Sequence, residues 1–376
     1  MRHGGEWTFV TFYIVDSPLD CFRSMNCFIA LRCAELRLSQ FFYKEGIRMM
    51  IKNALIEKLL KTALCMSLVT GTAAIAQEWP VRPITFLNPF PAGGGTDAFA
   101  RPLAAQLTEQ LGRQVIIDNR GGAGGTVGAS AAAKAAPDGY NWFVGATHHT
   151  IAPSMYKNLD YDIEKSFIPV AMLANVPQVL VVNPQKVSAR NAKEFVDLMK
   201  KNPGKYNFAS AGSGTVHHLA GELYKIQTGT FITHIPYRGA GPAMSDLLAG
   251  QVDLEFDGLA TSASQINAGK LVAIAVASKN RNPAIPNVPT FVEAGMPDYI
   301  VSTWYSLFAP RGTPQPIVDK MIAEVKKALS TPKLKAIWAA NGSEIPNLYG
   351  EEFGKEVSAN VKRWAAVVAK SGAKLD

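Results

Sequence analysis

The stretch NPFPAGGGTD, Asn88 to Asp97, decides the fold. It leaves a short apolar run, Ile84 to Asn88, and enters a segment of helical period, Thr96 to Leu111, so it reads as a glycine-rich turn between a strand and a helix. Glycine lets the backbone approach a ligand closely, and the free amides that open a helix favour an anion. The plainer role of Thr96 and Asp97 is to cap that helix.

Outward from this turn the same grammar repeats. Strands are expected at Val115 to Asp118, Trp142 to Ala146, Val170 to Leu173 and Val179 to Val182, with an alanine-rich helix at Thr126 to Ala135. A second series follows, with helices at Ala192 to Lys200, Thr215 to Gln227 and Ala243 to Ala249, and strands at Asn207 to Ala209, Phe231 to Ile235, Leu254 to Phe256 and Val272 to Ala277. Beyond the proline-rich connection Pro283 to Pro289, Ser302 to Ala309 reads as one more strand, and Pro314 to Ser330 and Glu351 to Lys370 as closing helices. Short apolar runs alternating with helical stretches imply an α/β chain on a largely parallel sheet.

In the second series the loop SAGSGT, Ser210 to Thr215, joins a strand to the helix that carries His217 and His218. Two such turns in two domains suggest a carboxylate held from both sides by main-chain NH groups. Neither loop has the Gly-Lys-Ser or Gly-Lys-Thr ending of a nucleotide P-loop. The run Gly121 to Gly128 follows the second strand, and its third glycine is one residue late for a dinucleotide fingerprint. The adjacent pairs His148-His149 and His217-His218 point in different directions, and no carboxylate is expected at helical ligand spacing beside them, so no metal is predicted. Ser213 sits directly between glycines, without the spacer residues of a nucleophile elbow, and no catalysis is expected. Phe90, Tyr237, Phe256 and Trp304 are candidate flat walls for a pocket.

The chain has 376 residues and a formal net charge of +8, with no basic cluster dense enough to bind nucleic acid. Such a balance is compatible with anionic ligands. Met49-Met50, then Lys52, Lys58 and Lys61, then the apolar stretch Ala63 to Ile75 closing in Ala74-Ile75-Ala76, fit a secretory signal with the mature chain starting at Gln77. The apolar stretch falls short of the about 20 residues that span a bilayer, so the expectation is export to the periplasm. Residues 1–48 read as an upstream extension foreign to the mature protein. Cys21, Cys27, Cys33 and Cys65 all precede the cut, which would leave an exported chain without disulfides, thiolate metal sites or cysteine nucleophiles. Residues 77–376 exceed the size usual for one hydrophobic core, so two domains are expected.

An ordered string of motifs then carries a family resemblance. It consists of Trp79-Pro80 with Arg82-Pro83-Ile84, FPAGGGTD from Phe90, NRGGAGGTVGA from Asn119, PDGY from Pro137, AGSGTVHHLAGE from Ala211, IPYRG from Ile235, PTFVEAG from Pro289 and APRGTP from Ala309. From Gln77 to Asp376 the chain resembles the Bug family, the extracytoplasmic solute receptors of tripartite tricarboxylate transporters. The resemblance implies a type II periplasmic-binding-protein fold: two α/β domains with a ligand cleft between them, joined by two crossing strands near Gln178 to Asn183 and Val301 to Phe308. Domain 1 would then be discontinuous, residues 77–180 plus 303–376, with domain 2 at 181–302. It further implies a small organic carboxylate as ligand, integral-membrane transporter subunits as partners, a monomer, and no cofactor. A ligand-presenting sensor subunit uses the same clamp, and an exported hydrolase is the remaining rival. Carried over by position, the ligand contacts are Phe90, Gly94, Gly95, Thr96 and Asp97 from one side, and Ser210, Gly212, Gly214 and Thr215 from the other. The chain departs from the family at Ala146-Thr147-His148-His149, where a small Ser- and Thr-rich loop is usual, so Thr147 and His148 join the candidates. Tyr237 and Asp257 complete them.

Overall fold

The structure, a computed structural model, describes residues 79–371. The expected extension 1–48, the signal segment 49–76 and all four cysteines lie outside the described residues. In the first part of the chain the elements are β1 (Ile84–Asn88), α1 (Gly95–Leu111), β2 (Val115–Asn119), α2 (Thr126–Ala133), β3 (Asn141–Ala146), α3 (His148–Met155) and β4 (Phe167–Val182). Then come α4 (Ala192–Lys201), β5 (Asn207–Ser210), α5 (Val216–Thr228), β6 (Thr233–Pro236), α6 (Ala240–Leu248), β7 (Leu254–Gly258), α7 (Leu259–Asn267) and β8 (Val272–Val276). The chain closes with β9 (Ser302–Pro310), α8 (Gln315–Ser330), α9 (Pro332–Ala340) and α10 (Gly350–Ser371).

The strands form one curled, mixed sheet in the order β2-β1-β3-β9-β4-β7-β5-β6, with β8 also on β4. Each end is a parallel βα set: β2, β1 and β3 on one side, and β6, β5 and β7 on the other. The centre is antiparallel, which corrects the expectation of a largely parallel sheet. The two strands expected at Val170 to Leu173 and Val179 to Val182 are one strand, β4. Its residues from Phe167 to Pro177 pair with β9, and those from Gln178 to Val182 pair with β7 and β8. A single strand thus belongs to both halves of the sheet. The chain returns just ahead of β9, where Gln178 N donates to Val301 O at 2.9 Å.

Burial explains why these segments form. In β1 four of the five positions are buried, as befits a strand covered on both faces. Helix α1 buries Phe99, Ala100, Leu103, Ala104 and Leu107, a stripe at helical spacing, and stops where Gly112 takes the left-handed conformation at φ 62°. Phe86, Phe99, Trp142 and Trp338 fill the core under the first half, and Phe195, Phe208, Tyr224 and Phe256 fill that under the second. Each such side chain contributes roughly 1.5–3 kcal/mol of burial. The Trp338 indole also donates to Leu173 O on β4 at 2.7 Å, tying α9 to the shared strand. Among the described residues no helix is long and apolar enough to cross a membrane.

Candidate ligand-binding site

Parallel strands deliver their carboxyl ends, and the helix starts that follow, to one edge of the sheet. Here β1 and β3 from one half, and β5, β6 and β7 from the other, do so on facing sides of a small cleft. Its walls are Phe90, Gly94, Gly95, Thr96 and His148 from the first half, Ala211, His217 and Ala240 from the second, and Tyr305 of β9. The space measures about 240 Å³, with about 10 Å³ open to the centres of water molecules.

The first wall is the turn after β1. Gly93 sits at φ 82°, a conformation that favours glycine. Helix α1 opens behind Gly94, which supplies no side-chain cap. The expected capping by Thr96 or Asp97 is therefore corrected. Asp97 reaches back into the turn, where its Oδ2 accepts from Gly93 N at 3.0 Å and from Arg101 Nε at 2.7 Å. It secures the loop and does not line the cleft. Thr96 does line it, and its hydroxyl is buried without a hydrogen-bond partner among the described residues. The Gly95 position has no room for a side chain, because a Cβ there would overlap the Tyr305 hydroxyl.

Thr147 and His148 leave β3. Thr147 faces β9, its hydroxyl accepting from Trp304 N at 2.8 Å. His148 enters the cleft and crosses it: its Nδ1 accepts from Val216 N, the first residue of α5, at 3.0 Å. Burial chiefly, with nearby His217 and His149 adding to it, holds the imidazole well below its usual pKa. The ring is neutral, and because Nδ1 accepts, its proton sits on Nε2, ready to donate.

In the second wall the side chains turn inward. Thr215 caps α5, donating to Gly212 O at 2.7 Å and accepting from His218 N at 3.5 Å, so its hydroxyl is consumed by the loop. The Ser210 hydroxyl lies 2.6 Å from His234 Nε2 and accepts from Gly212 N at 3.1 Å. Gly212 and Gly214 hold the loop at φ 131° and 77°. Tyr237 donates to Asp246 Oδ2 at 2.7 Å, and burial together with that acid pushes its hydroxyl up to about 12. These residues shape the second wall without lining the cleft. Helix α6 begins at Ala240 rather than Ala243, which brings its first turn to the cleft.

The loops of the two halves meet. The Tyr156 hydroxyl, from the residue after α3, lies 3.0 Å from Ser213 O and 2.8 Å from Ala123 O. A Cβ on Gly124 would come within 2.7 Å of Ser213 O, and one on Gly94 within 3.7 Å of Gly241 N.

Behind the cleft wall stands a cluster of buried ionisable groups. Glu255 and Asp257 alternate on β7 and so share a face, and His217 of α5 lies over them. Its Nδ1 is 3.6 Å from Glu255 Oε1 and 3.8 Å from Asp257 Oδ1. Burial pushes Glu255 up to about 8. Burial first and Glu255 second push Asp257 up to about 7, although Thr261 donates to its Oδ2. Burial lowers His217 despite Asp257 beside it. The expectation that no carboxylate stands at helical spacing from these histidines is corrected by Glu222, one turn after His218 and 3.9 Å from its Nε2.

Of the predicted contacts, Phe90, Gly94, Gly95, Thr96 and His148 are brought together in the cleft. Asp97, Thr147, Ser210, Gly212, Gly214, Thr215 and Tyr237 lie around it as supports, and Asp257 lies behind it. The sequence reading missed Ala211, His217, Ala240 and Tyr305 as walls. Only His217 carried a signal, as the neighbour of His218 in a glycine-led helix start.

Two βα sets of one curled sheet, facing each other over a cleft walled by helix starts and neutral polar groups, define a solute-binding protein. The chain belongs to the tripartite tricarboxylate transporter family of receptors, whose family model matches residues 99–373. It is 36% identical over 302 residues to BugT of Bordetella pertussis, covering 80% of this chain and 92% of BugT. Among solved structures it is similar to R. palustris Rpa4515 with adipate, at 33% identity and TM-score 0.76, covering 79% of this chain and all of that one. It is likewise similar to MatC from Rhodopseudomonas palustris with bound malate, at 35% identity and TM-score 0.73, covering 77% of this chain and all of that one. The protein is accordingly a solute-binding receptor of the Bug type, in the periplasmic-binding-protein class.

Proposed function

We propose that the protein captures a small organic acid with one or two carboxylates in this cleft, leaves it chemically unchanged, and hands it to integral-membrane transporter subunits. The observation that carries this reading is the facing of two helix starts, Gly95 of α1 and Val216 of α5, with neutral His148 between them. Among the described residues no lysine or arginine lines the cleft. A carboxylate there would be held by amide, hydroxyl and imidazole NH dipoles, each charge-assisted bond contributing roughly 1.5–3 kcal/mol. The unpartnered Thr96 hydroxyl is a donor suited to one carboxylate oxygen. The adipate and malate of the two Rhodopseudomonas proteins support an acid of that size.

In this reading residues 77–180 with 303–376 and residues 181–302 move as two lobes about β4 and the segment before β9. The cleft is contracted to about one water molecule's room, so an acid enters only when the lobes part. The reading includes export with the mature amino terminus at Gln77, which sequencing of the periplasmic protein checks. The main test is a thermal-shift panel of adipate, malate, tricarboxylates, amino acids and aromatic acids. A bound acid at 100 times its dissociation constant stabilises the protein by about 2.7 kcal/mol. No shift with any member would sink the reading.

A further inference from the structure

We propose that His217, Glu255 and Asp257 form a binding site for one divalent first-row transition-metal ion, set into the wall of the cleft. Their donor atoms, His217 Nδ1, Glu255 Oε1 and Asp257 Oδ1, all lie within 4.8 Å of one another. The three side chains are buried, with exposures of 2%, 0% and 0%. Among the described residues none of these donor atoms has a hydrogen-bond partner, and neither does Glu255 Oε2. One oxygen from each of two buried carboxylates and the imidazole nitrogen facing them thus converge without a hydrogen bond to any of them. Buried charges are ordinarily paired or coordinate a metal. A divalent cation would displace the protons that burial holds on the pair and balance both carboxylates, whereas a single ammonium would leave one uncompensated.

The donor set narrows the ion. One imidazole and two carboxylates suit zinc or manganese, while calcium asks for six to eight oxygens. Bonds of about 2.0–2.2 Å place neighbouring donors about 3.0–3.6 Å apart, so the 3.6 and 3.8 Å pairs need little change and the two carboxylates close further by side-chain rotation. Glu255 and Asp257 sit on a strand paired on both sides, by β4 and β5, so two of the three ligands stand on a rigid base. The inference does not depend on which acid the cleft takes.

The experiment uses untagged protein stripped with a chelator, then titrated calorimetrically with zinc chloride or manganese chloride alone and crystallised with the better binder. The expected result is one ion per chain and an anomalous-difference peak among His217, Glu255 and Asp257. Affinity should fall at least tenfold in Glu255→Gln and in His217→Gln, and magnesium should bind far more weakly. Circular dichroism identifies any variant that fails to fold, and the wild-type stoichiometry and peak then decide alone. Absence of binding, a peak elsewhere, or unchanged affinity in folded Glu255→Gln overturns the proposal.

Discussion

Gly95 is the residue on which the cleft depends most sharply. With the Tyr305 hydroxyl where its Cβ would stand, Gly95→Ala must displace either the start of α1 or the tyrosine. Overpacking of this kind costs roughly 1–3 kcal/mol, so a lower urea midpoint is expected, and at least tenfold weaker calorimetric binding of whichever acid the thermal-shift panel identifies. His148 makes a second residue-scale case, because its Nδ1 is the acceptor for Val216 N across the cleft. His148→Phe keeps the ring's bulk and leaves that buried amide unpaired, at about 1–3 kcal/mol against the shut arrangement. Small-angle scattering should then show a larger radius of gyration than the wild type, and equal radii would mean that the bond does not hold the halves together. The glycine-rich turn and the family resemblance together made the Phe90 to Thr96 wall legible in the sequence. Tyr305 was not legible, since it lies mid-strand in an apolar run and reaches the cleft only because β9 sits between β3 and β4.

At the scale of elements, the hydroxyl of Thr215 serves α5 before any ligand. Thr215→Ala removes both its bonds and should cost about 1 kcal/mol, seen as a lower denaturant midpoint, while Thr215→Ser should retain most of it. Most helices and outer strands were readable from apolar spacing. Strand β4 was read as two apolar runs, Val170 to Leu173 and Val179 to Val182, across a gap that holds Pro177, a residue with no NH for a ladder. The structure accommodates Pro169 at a register shift against β9, and Pro177 opposite Ser302 at the end of that pairing. Neither is visible without the partner strand. The His217, Glu255 and Asp257 cluster escaped for a related reason: alternation along LEFDG puts both acids on one face, but only the fold brings α5 over them.

At the scale of the whole molecule, buried imidazoles make stability depend on pH. Burial lowers His149 to about 4, below the roughly 6.5 of an exposed histidine. Between those values the unfolded chain takes up a proton that the folded one refuses. The His149 contribution is therefore unpenalised above pH 6.5 and declines as pH falls toward 4. One proton corresponds to about 1.4 kcal/mol per pH unit, so His149→Gln should flatten the fall in unfolding free energy, read from urea melts, by up to that slope across the window. An identical slope in both proteins would place the proton elsewhere. The sharing of β4 by both ends of the sheet has an evolutionary corollary as well. A gene fragment coding for one half cannot be exchanged as a self-sufficient cassette, because the strand completing it is also the neighbour's. New tastes in such a receptor arise more readily through point changes in the turns that rim the cleft than through recombination of halves.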